Sequence, residues 1–218
     1  MRVPALLLAL LTATVAGASG CAGPPAPLQD ASGPGKPAAT PTTGAVTLSG
    51  GGEFISAKAS PGTSPDASDG ASPDASRGGS GNAAIVYDRK LAPEGAQASL
   101  TAESTGGKTR TSLVVEGLLP DRRYGAHLHT KPCGAKPDES GPHYQHHPGQ
   151  IDAASEVWLD FMTDGEGGGR STARNDWALD PADLPRSLVL HSQATKTSGP
   201  QVGTAGDRVA CLTLKKVP

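Results

Sequence analysis

Aromatic side chains are scarce in this 218-residue chain, which contains two Trp, three Tyr and two Phe. All of them except Phe54 lie beyond residue 83. The chain is rich instead in residues that disfavour regular structure, with 29 Gly and 20 Pro. Because large aromatic side chains contribute heavily to the cores of folded domains, we expect one folded domain in the C-terminal part and little ordered structure before it.

An excess of positive charge is also missing. The formal net charge is −2, and the sequence shows no cluster of Lys and Arg. Nucleic-acid binding and polybasic membrane patches both depend on such a cluster. We therefore expect no nucleic-acid partner.

The chain begins with an apolar run that is too short and too weakly flanked to span a membrane. The first twenty residues, MRVPALLLALLTATVAGASG, carry one early positive charge at Arg2 and then small and apolar residues. This order is typical of an export signal. We predict a signal peptide at residues 1–20.

Cysteine occurs only three times. Cys21 follows Ala18-Ser19-Gly20, which resembles the cleavage box of bacterial lipoproteins, and the resemblance implies that Cys21 becomes a lipidated N-terminus. The alternative is an ordinary secretory signal beside an incidental cysteine. Cys133 and Cys211 then remain as an even pair in an exported, oxidising setting, where we expect a disulfide rather than two free thiols.

Residues 22–82 consist mainly of Gly, Pro, Ala, Ser and Thr and contain the repeat SPDAS at 64–68 and 72–76. Such a segment buries too little apolar surface to offset the entropy of ordering it. We predict that residues 21–82 are a lipidated cysteine followed by a disordered tether. The short apolar piece Val46-Thr47-Leu48 could pair transiently with another segment, and we give this pairing little weight.

The remaining residues, 83–218, show short apolar alternations separated by turn residues and no helical periodicity. Runs of this kind are typical of strands. We predict an all-β domain, an eight-stranded antiparallel Greek-key barrel or sandwich of immunoglobulin-like type. The eight predicted strands are 84–87, 98–102, 111–115, 123–130, 156–162, 170–175, 187–192 and 208–215.

The stretch GAHLHTKPCG, residues 125–134, contains two histidines two residues apart. On a β-strand, residues i and i+2 point to the same face, so His127 and His129 project together. Two imidazoles on one face form half of a metal site. A surface or structural histidine pair is the alternative for this motif alone.

Three further pieces follow in the sequence: Gly141-Pro142-His143, Val189-Leu190-His191, and GTAGDRVAC at 203–211. With the histidine pair, their order and flanking glycines resemble the copper-zinc superoxide dismutase family over about residues 83–217. The resemblance implies copper ligands at His127, His129, His143 and His191. His143 corresponds to the histidine that bridges copper and zinc, and Cys133 and Cys211 correspond to the family's internal disulfide.

The zinc half of the family pattern is not matched. The loop after His143 is compressed, and its candidate zinc ligands are His146, His147 and Asp152, with Glu156 as a further oxygen donor. The position at which the family places an aspartate that links the two metal sites is Thr195 here. We therefore favour a copper site with zinc absent or weakly bound.

The resemblance implies a superoxide dismutase, an oxidoreductase with superoxide as its substrate. Arg208 corresponds to the arginine that attracts the anion, and His143 to a proton donor. The alternative is a non-catalytic copper-binding surface lipoprotein on the same scaffold. We expect an extracytoplasmic protein that contacts the outer face of a bacterial membrane only through the Cys21 lipid, and the sequence leaves a homodimer open.

Overall fold

The structure, a computed structural model, describes residues 44–57 and 83–218. The predicted signal peptide, the lipid site at Cys21 and the greater part of the predicted tether lie outside the described residues. The described part is almost entirely β. In chain order its strands are β1 (Val46–Glu53), β2 (Ile55–Ser56), β3 (Ala84–Val86), β4 (Gln97–Thr105), β5 (Lys108–Glu116), β6 (Arg123–His129), β7 (Phe161–Met162), β8 (Gly169–Asn175), β9 (Ser187–His191), β10 (Arg208–Thr213) and β11 (Lys215–Val217).

The strands form two sheets. One has the order β11-β1-β4-β5-β8 and is antiparallel throughout. The other has the order β2-β3-β10-β9-β6-β7 and is antiparallel except for the short β2–β3 pair. The predicted fold class, an all-β antiparallel sandwich, is confirmed.

The core lies between the sheets and is built by alternation. In β4 every second residue is buried, and β5 repeats the pattern, as expected for strands with one face toward the core. From the second sheet, Ala126 and Leu128 of β6 and Leu188 and Leu190 of β9 belong to the same apolar cluster. These four residues occupy one face of their strands, so the histidines between them must face the opposite side.

Strand pairing places three of the predicted ligands on that opposite face. In the β6–β9 ladder, Gly125 pairs with His191 and His127 pairs with Val189. Directly paired residues lie on the same side of an antiparallel sheet, so His191 shares a face with His127 and His129. The outer face of the second sheet is therefore the floor of the candidate site.

The prediction that residues 21–82 are tether is wrong for β1. Val46–Glu53 pairs along its whole length with β4 and also pairs with β11. Val46 and Leu48 are buried, and the following Phe54 is fully buried. The strand VTLSGGGE has the small-residue composition of a linker because it packs closely: a Cβ on Gly50 would lie 2.7 Å from the carbonyl oxygen of Thr213.

The predicted strand 156–162 is wrong in its first five residues, because only Phe161 and Met162 form a regular ladder. The preceding segment touches its neighbours through isolated bridges, His127 with Trp158 and Gln145 with Glu156. Its polar side chains turn toward the histidine face instead of continuing a ladder. The other seven predicted strands each have a counterpart, and β1, β2 and β11 are additional.

Across 44–57 and 83–218, none of the helical segments has the length and apolar character that crossing a membrane requires.

We predict that Leu48→Ala lowers the free energy of unfolding by about 2–5 kcal/mol, because it leaves a cavity between the sheets. Thr47→Ala, on the opposite face of the same strand, is the matched control and should change stability by about 0.5 kcal/mol or less. Urea unfolding of both variants measures this. Equal, small effects of the two substitutions would show that β1 is not part of the folded domain.

Candidate metal centre

Four histidines meet on the outer face of the second sheet. His127 and His129 come from β6 and His191 ends β9, while His143 lies in the loop that follows β6. The loop is held against β6 by a bridge between His143 and His129. Each imidazole offers one nitrogen to a group whose members all lie within 4.8 Å of one another.

The nitrogens that face inward are identified by their distances. His127 Nδ1 lies 3.0 Å from His143 Nε2, and His129 Nε2 lies 3.4 Å from His191 Nε2. Three of the rings are almost completely removed from solvent, with 0 % exposure for His127 and His129 and 4 % for His191. The side chain of His143 is 19 % exposed, so it is the ring that solvent reaches.

The outer nitrogens of His129 and His191 are paired with backbone carbonyl oxygens. His129 Nδ1 lies 2.9 Å from the carbonyl oxygen of Gly141, and His191 Nδ1 lies 3.3 Å from that of Gly206. A carbonyl oxygen can only accept, so in both rings Nδ1 carries the proton. The inward Nε2 of each ring is then a free lone pair.

The outer nitrogen of His143 is paired with a buried carboxylate. His143 Nδ1 lies 2.9 Å from Glu156 Oε2, and Glu156 is only 1 % exposed. Trp158 Nε1 and Gln145 Nε2 each donate to the same carboxylate at 2.8 Å. Burial alone would raise the pKa of Glu156, but these three hydrogen bonds outweigh it and hold the pKa below its usual value. The carboxylate therefore accepts the His143 Nδ1 proton.

The outer nitrogen of His127 is paired with a hydroxyl group. His127 Nε2 lies 2.6 Å from Thr195 Oγ1, which lies 2.6 Å from Asp160 Oδ2. A hydroxyl group has one proton, and the carboxylate of Asp160 can only accept it. Thr195 must therefore accept the Nε2 proton of His127, which leaves Nδ1 of that ring as a lone pair.

The inward nitrogens of His127, His129 and His191 are thus unprotonated, and the ligand atoms of all four histidines lie within 4.8 Å of one another. Burial lowers the pKa of His127 far below its ordinary value, that of His129 to about 2 and that of His191 to about 4. Lone pairs this close repel one another unless a cation lies between them. Neutral imidazole nitrogens are ligands for Zn, Cu, Fe and Ni, so the residues present fit a metal ion.

The structure does not bring the predicted zinc ligands to His143. The His146 ring stacks on Trp177 with centroids 4.5 Å apart, and the His147 ring packs against that of His146. Asp152 accepts hydrogen bonds from the side chain of Gln150 and from nearby backbone amides. Within the described ranges, the metal-capable cluster contains the four histidines and no other residue. The Glu156 carboxylate lies against the nitrogen of His143 that a bridged zinc would use.

A disulfide and an arginine hold the loop after β6 against β10. Cys133 and Cys211 are bonded, as the sequence predicts. Arg208 donates to the carbonyl oxygens of Pro137 and Gly141 and to Ser140 Oγ, each at 2.8 Å. The Gly141 carbonyl also accepts from His129, so the guanidinium group and a metal-site imidazole share one acceptor.

A cavity of about 480 Å³ opens onto the cluster. His143, His191 and Arg208 line it, and Ile151 and Val202 contribute apolar surface. Arg208, which the resemblance implies lies beside the metal, therefore lines the same cavity as two of the four histidines. Lys196, which lies between His191 and Gly203, contacts Gln201 and is exposed.

Sequence reasoning missed the partners of the outer nitrogens. From the sequence, Glu156 is a candidate zinc ligand rather than the acceptor for His143, and Thr195 indicates only the loss of an aspartate. Asp160 carries no prediction. Two acidic residues in the short run EVWLDF, in a segment predicted to be a strand, were the available signal, because a buried strand disfavours them.

No family model and no curated protein matches this chain. Similar solved structures include a Cu/Zn superoxide dismutase from Brucella abortus, with 18% identity and a TM-score of 0.46 over 62% of this chain and 100% of that one. They also include the clock protein EA4, with 24% identity and a TM-score of 0.44 over 57% of this chain and 89% of that one.

The buried imidazoles predict a pH dependence for the metal-free protein. His127, His129 and His191 stay neutral when folded but gain protons when unfolded below about pH 6.5. The free energy of unfolding is therefore highest above pH 6.5. As the pH is lowered from there toward the pKa values of the folded state, it falls by about 1.4 kcal/mol per pH unit for each ring.

Chemical denaturation of the metal-free protein between pH 6.5 and 5 measures this loss, in a range above most carboxylate titrations. A His147→Gln variant, altered at an exposed ring, is the control and should retain the slope. A stability that stays constant across this range would contradict the burial of neutral rings.

Proposed function

We propose that the domain is a copper-dependent superoxide dismutase that works outside the cytoplasm. The observation that carries the proposal is the convergence of four imidazole nitrogens at the base of an open cavity with a guanidinium group in its wall. An adhesion sandwich or other purely structural domain has no use for this arrangement, because unpaired lone pairs at such distances are destabilising without a cation.

The donor set supports copper. All four donors are neutral imidazoles, which suit an ion that changes between Cu(I) and Cu(II), and the order of the histidine motifs resembles a copper enzyme family. Hard cations such as Mg²⁺ and Ca²⁺ prefer oxygen. The hydrogen bond from His143 Nδ1 to Glu156 supports a site that works with copper alone, because the same nitrogen is needed to bridge to zinc.

A bound copper ion would supply one-electron redox chemistry, in which two superoxide ions and two protons become one oxygen and one hydrogen peroxide. The protein's part is to hold the imidazoles, admit a small anion and bring a proton. The resemblance assigns the proton to His143. The partial exposure of this ring and its hydrogen bond to a carboxylate support that role, since Glu156 would keep the ring oriented when Nε2 leaves the copper ion and takes up a proton from solvent.

Arg208 is proposed to attract the substrate. Its guanidinium group is fixed by three hydrogen bonds and lines the cavity. A fixed positive charge in a concave site focuses the electrostatic potential and raises the local concentration of an anion. A copper-storage protein has no need of such a group, so Arg208 favours the enzyme over the non-catalytic copper lipoprotein.

The proposed location follows from the cysteines. The Cys133–Cys211 disulfide is expected to form and persist in an oxidising compartment. We propose that Cys21 carries the lipid that attaches the protein to the outer face of the membrane. No nucleic-acid partner is proposed, and a homodimer is left open.

The proposal is tested by metal analysis and a dismutase assay on one sample of purified protein. We expect about one copper per chain, activity that is lost on chelation, and activity that copper but not zinc restores. His127→Ala should lose both copper and activity. Copper binding without dismutase activity would favour the copper-binding lipoprotein, and a fully active His127→Ala protein would contradict the assignment of the site.

Substitution of the arginine separates attraction from chemistry. Arg208→Ala should lower kcat/KM about tenfold or more and reduce its dependence on ionic strength while copper content is retained, because the focused potential is lost. Arg174→Ala removes the same charge from an exposed position on β8 and is the matched control. Equal salt dependence in both variants would show that Arg208 does not guide the substrate.

A further inference from the structure

The 192–207 loop forms one wall of the cavity and lies directly on the metal-site sheet. Its two arms are joined by backbone hydrogen bonds, from Gln193 to Ala205 and from Lys196 to Thr204. Beneath it is Gly125 of β6, where a Cβ would lie 2.6 Å from the Ala205 Cβ and 2.7 Å from the Gln193 carbonyl oxygen. The glycine allows the loop to sit against the strand that carries His127.

Thr195, in the first arm of this loop, is the hydrogen-bond partner of the outer nitrogen of His127. Its hydroxyl oxygen lies 2.6 Å from His127 Nε2. Thr195 is only 9 % exposed and His127 is fully buried, so water is a poor substitute for this contact. Loss of the hydroxyl group would leave a buried N–H without an acceptor, which is unfavourable.

Asp160 fixes the direction of this hydrogen bond. Its carboxylate accepts from the backbone N–H of Thr195 through Oδ1 and from the Thr195 hydroxyl through Oδ2. The aspartate thus fixes the position of the loop, and it accepts the proton of the hydroxyl group in a hydrogen bond. Its own Oδ2 is 3.9 Å from His127 Nε2, too far for a direct hydrogen bond.

We propose that Thr195 and Asp160 form a positioning pair that fixes His127 as the Nε2–H tautomer and thereby sets the strength and geometry of copper binding. The copper part of this inference rests on the proposed function. The family pattern places one aspartate at the position of Thr195. Here the carboxylate comes from a different segment, and the threonine hydroxyl group lies between this carboxylate and the imidazole. The threonine also links the loop that forms the cavity wall to the metal site.

Determination of the His127 tautomer tests the pair, and it requires neither bound copper nor a measurement of activity. In the metal-free wild-type protein, ¹⁵N-edited NMR spectra of the histidine rings should show a protonated Nε2 and an unprotonated Nδ1 for His127. Thr195→Val keeps the shape of the side chain and should give a mixture of tautomers. Thr195→Ser keeps the hydroxyl group and should restore the single tautomer.

Copper binding gives the second readout. Thr195→Val should weaken copper affinity about 10–100-fold, the usual effect of removing a group that orients a ligating histidine, and should change the Cu(II) EPR spectrum. Thr195→Ser should resemble the wild type in both. Thr204→Val is the matched control, because it removes a hydroxyl group from the other arm of the loop. That hydroxyl group donates its hydrogen bond to the Gln201 carbonyl and not to the metal site.

Asp160→Asn keeps an oxygen acceptor for the Thr195 backbone N–H and covers the case in which Thr195→Val does not fold. Without its acceptor the hydroxyl proton is free to turn toward His127, so this variant should also give mixed tautomers. The pair is ruled out if wild-type His127 carries its proton on Nδ1, or if Thr195→Val matches Thr204→Val in tautomer and copper affinity. A wild-type protein that has the expected tautomer but binds no copper would contradict the proposed function and still support the pair.

Discussion

Four imidazoles whose inner nitrogens lie within 4.8 Å of one another are the constraint on which the rest of this structure depends. Each ring has two nitrogens, and each outer nitrogen is paired with a group that accepts its proton: two carbonyl oxygens, a carboxylate and a hydroxyl group backed by a carboxylate. The inner nitrogens of His127, His129 and His191 are left without protons, and these three residues are almost completely buried. A bound cation makes such an arrangement favourable, so the hydrogen bonds around the site fit a metal centre without any acidic ligand.

The fold explains how these groups come together. The sandwich uses one face of β6 and β9 for its core and leaves the other for the histidines. Two loops then cover that face. The 130–160 loop is pinned to β10 by the disulfide and by Arg208, and it brings His143 and Glu156. The 192–207 loop brings Thr195, which Asp160 anchors. The rigidity of the site therefore comes from the sheet below and from polar contacts above.

The parts of this arrangement that the sequence predicts are those with a local pattern. Alternation identifies the strands, the spacing of His127 and His129 places them on one face, and the two cysteines of the domain pair as expected. The strand β1 was missed because its glycines, which close packing requires, look like linker. The partners of the outer nitrogens were missed for a different reason: Thr195 lies 68 residues from His127 and 35 from Asp160, and no local pattern relates residues so far apart.

Diffraction from copper-loaded crystals at the copper absorption edge tests the central claim most directly. The account predicts one anomalous peak bonded to His127 Nδ1, His129 Nε2, His143 Nε2 and His191 Nε2, with the Glu156 carboxylate still paired to His143 Nδ1. A peak beside His146 and His147, or a metal bound through the outer nitrogens, would contradict it.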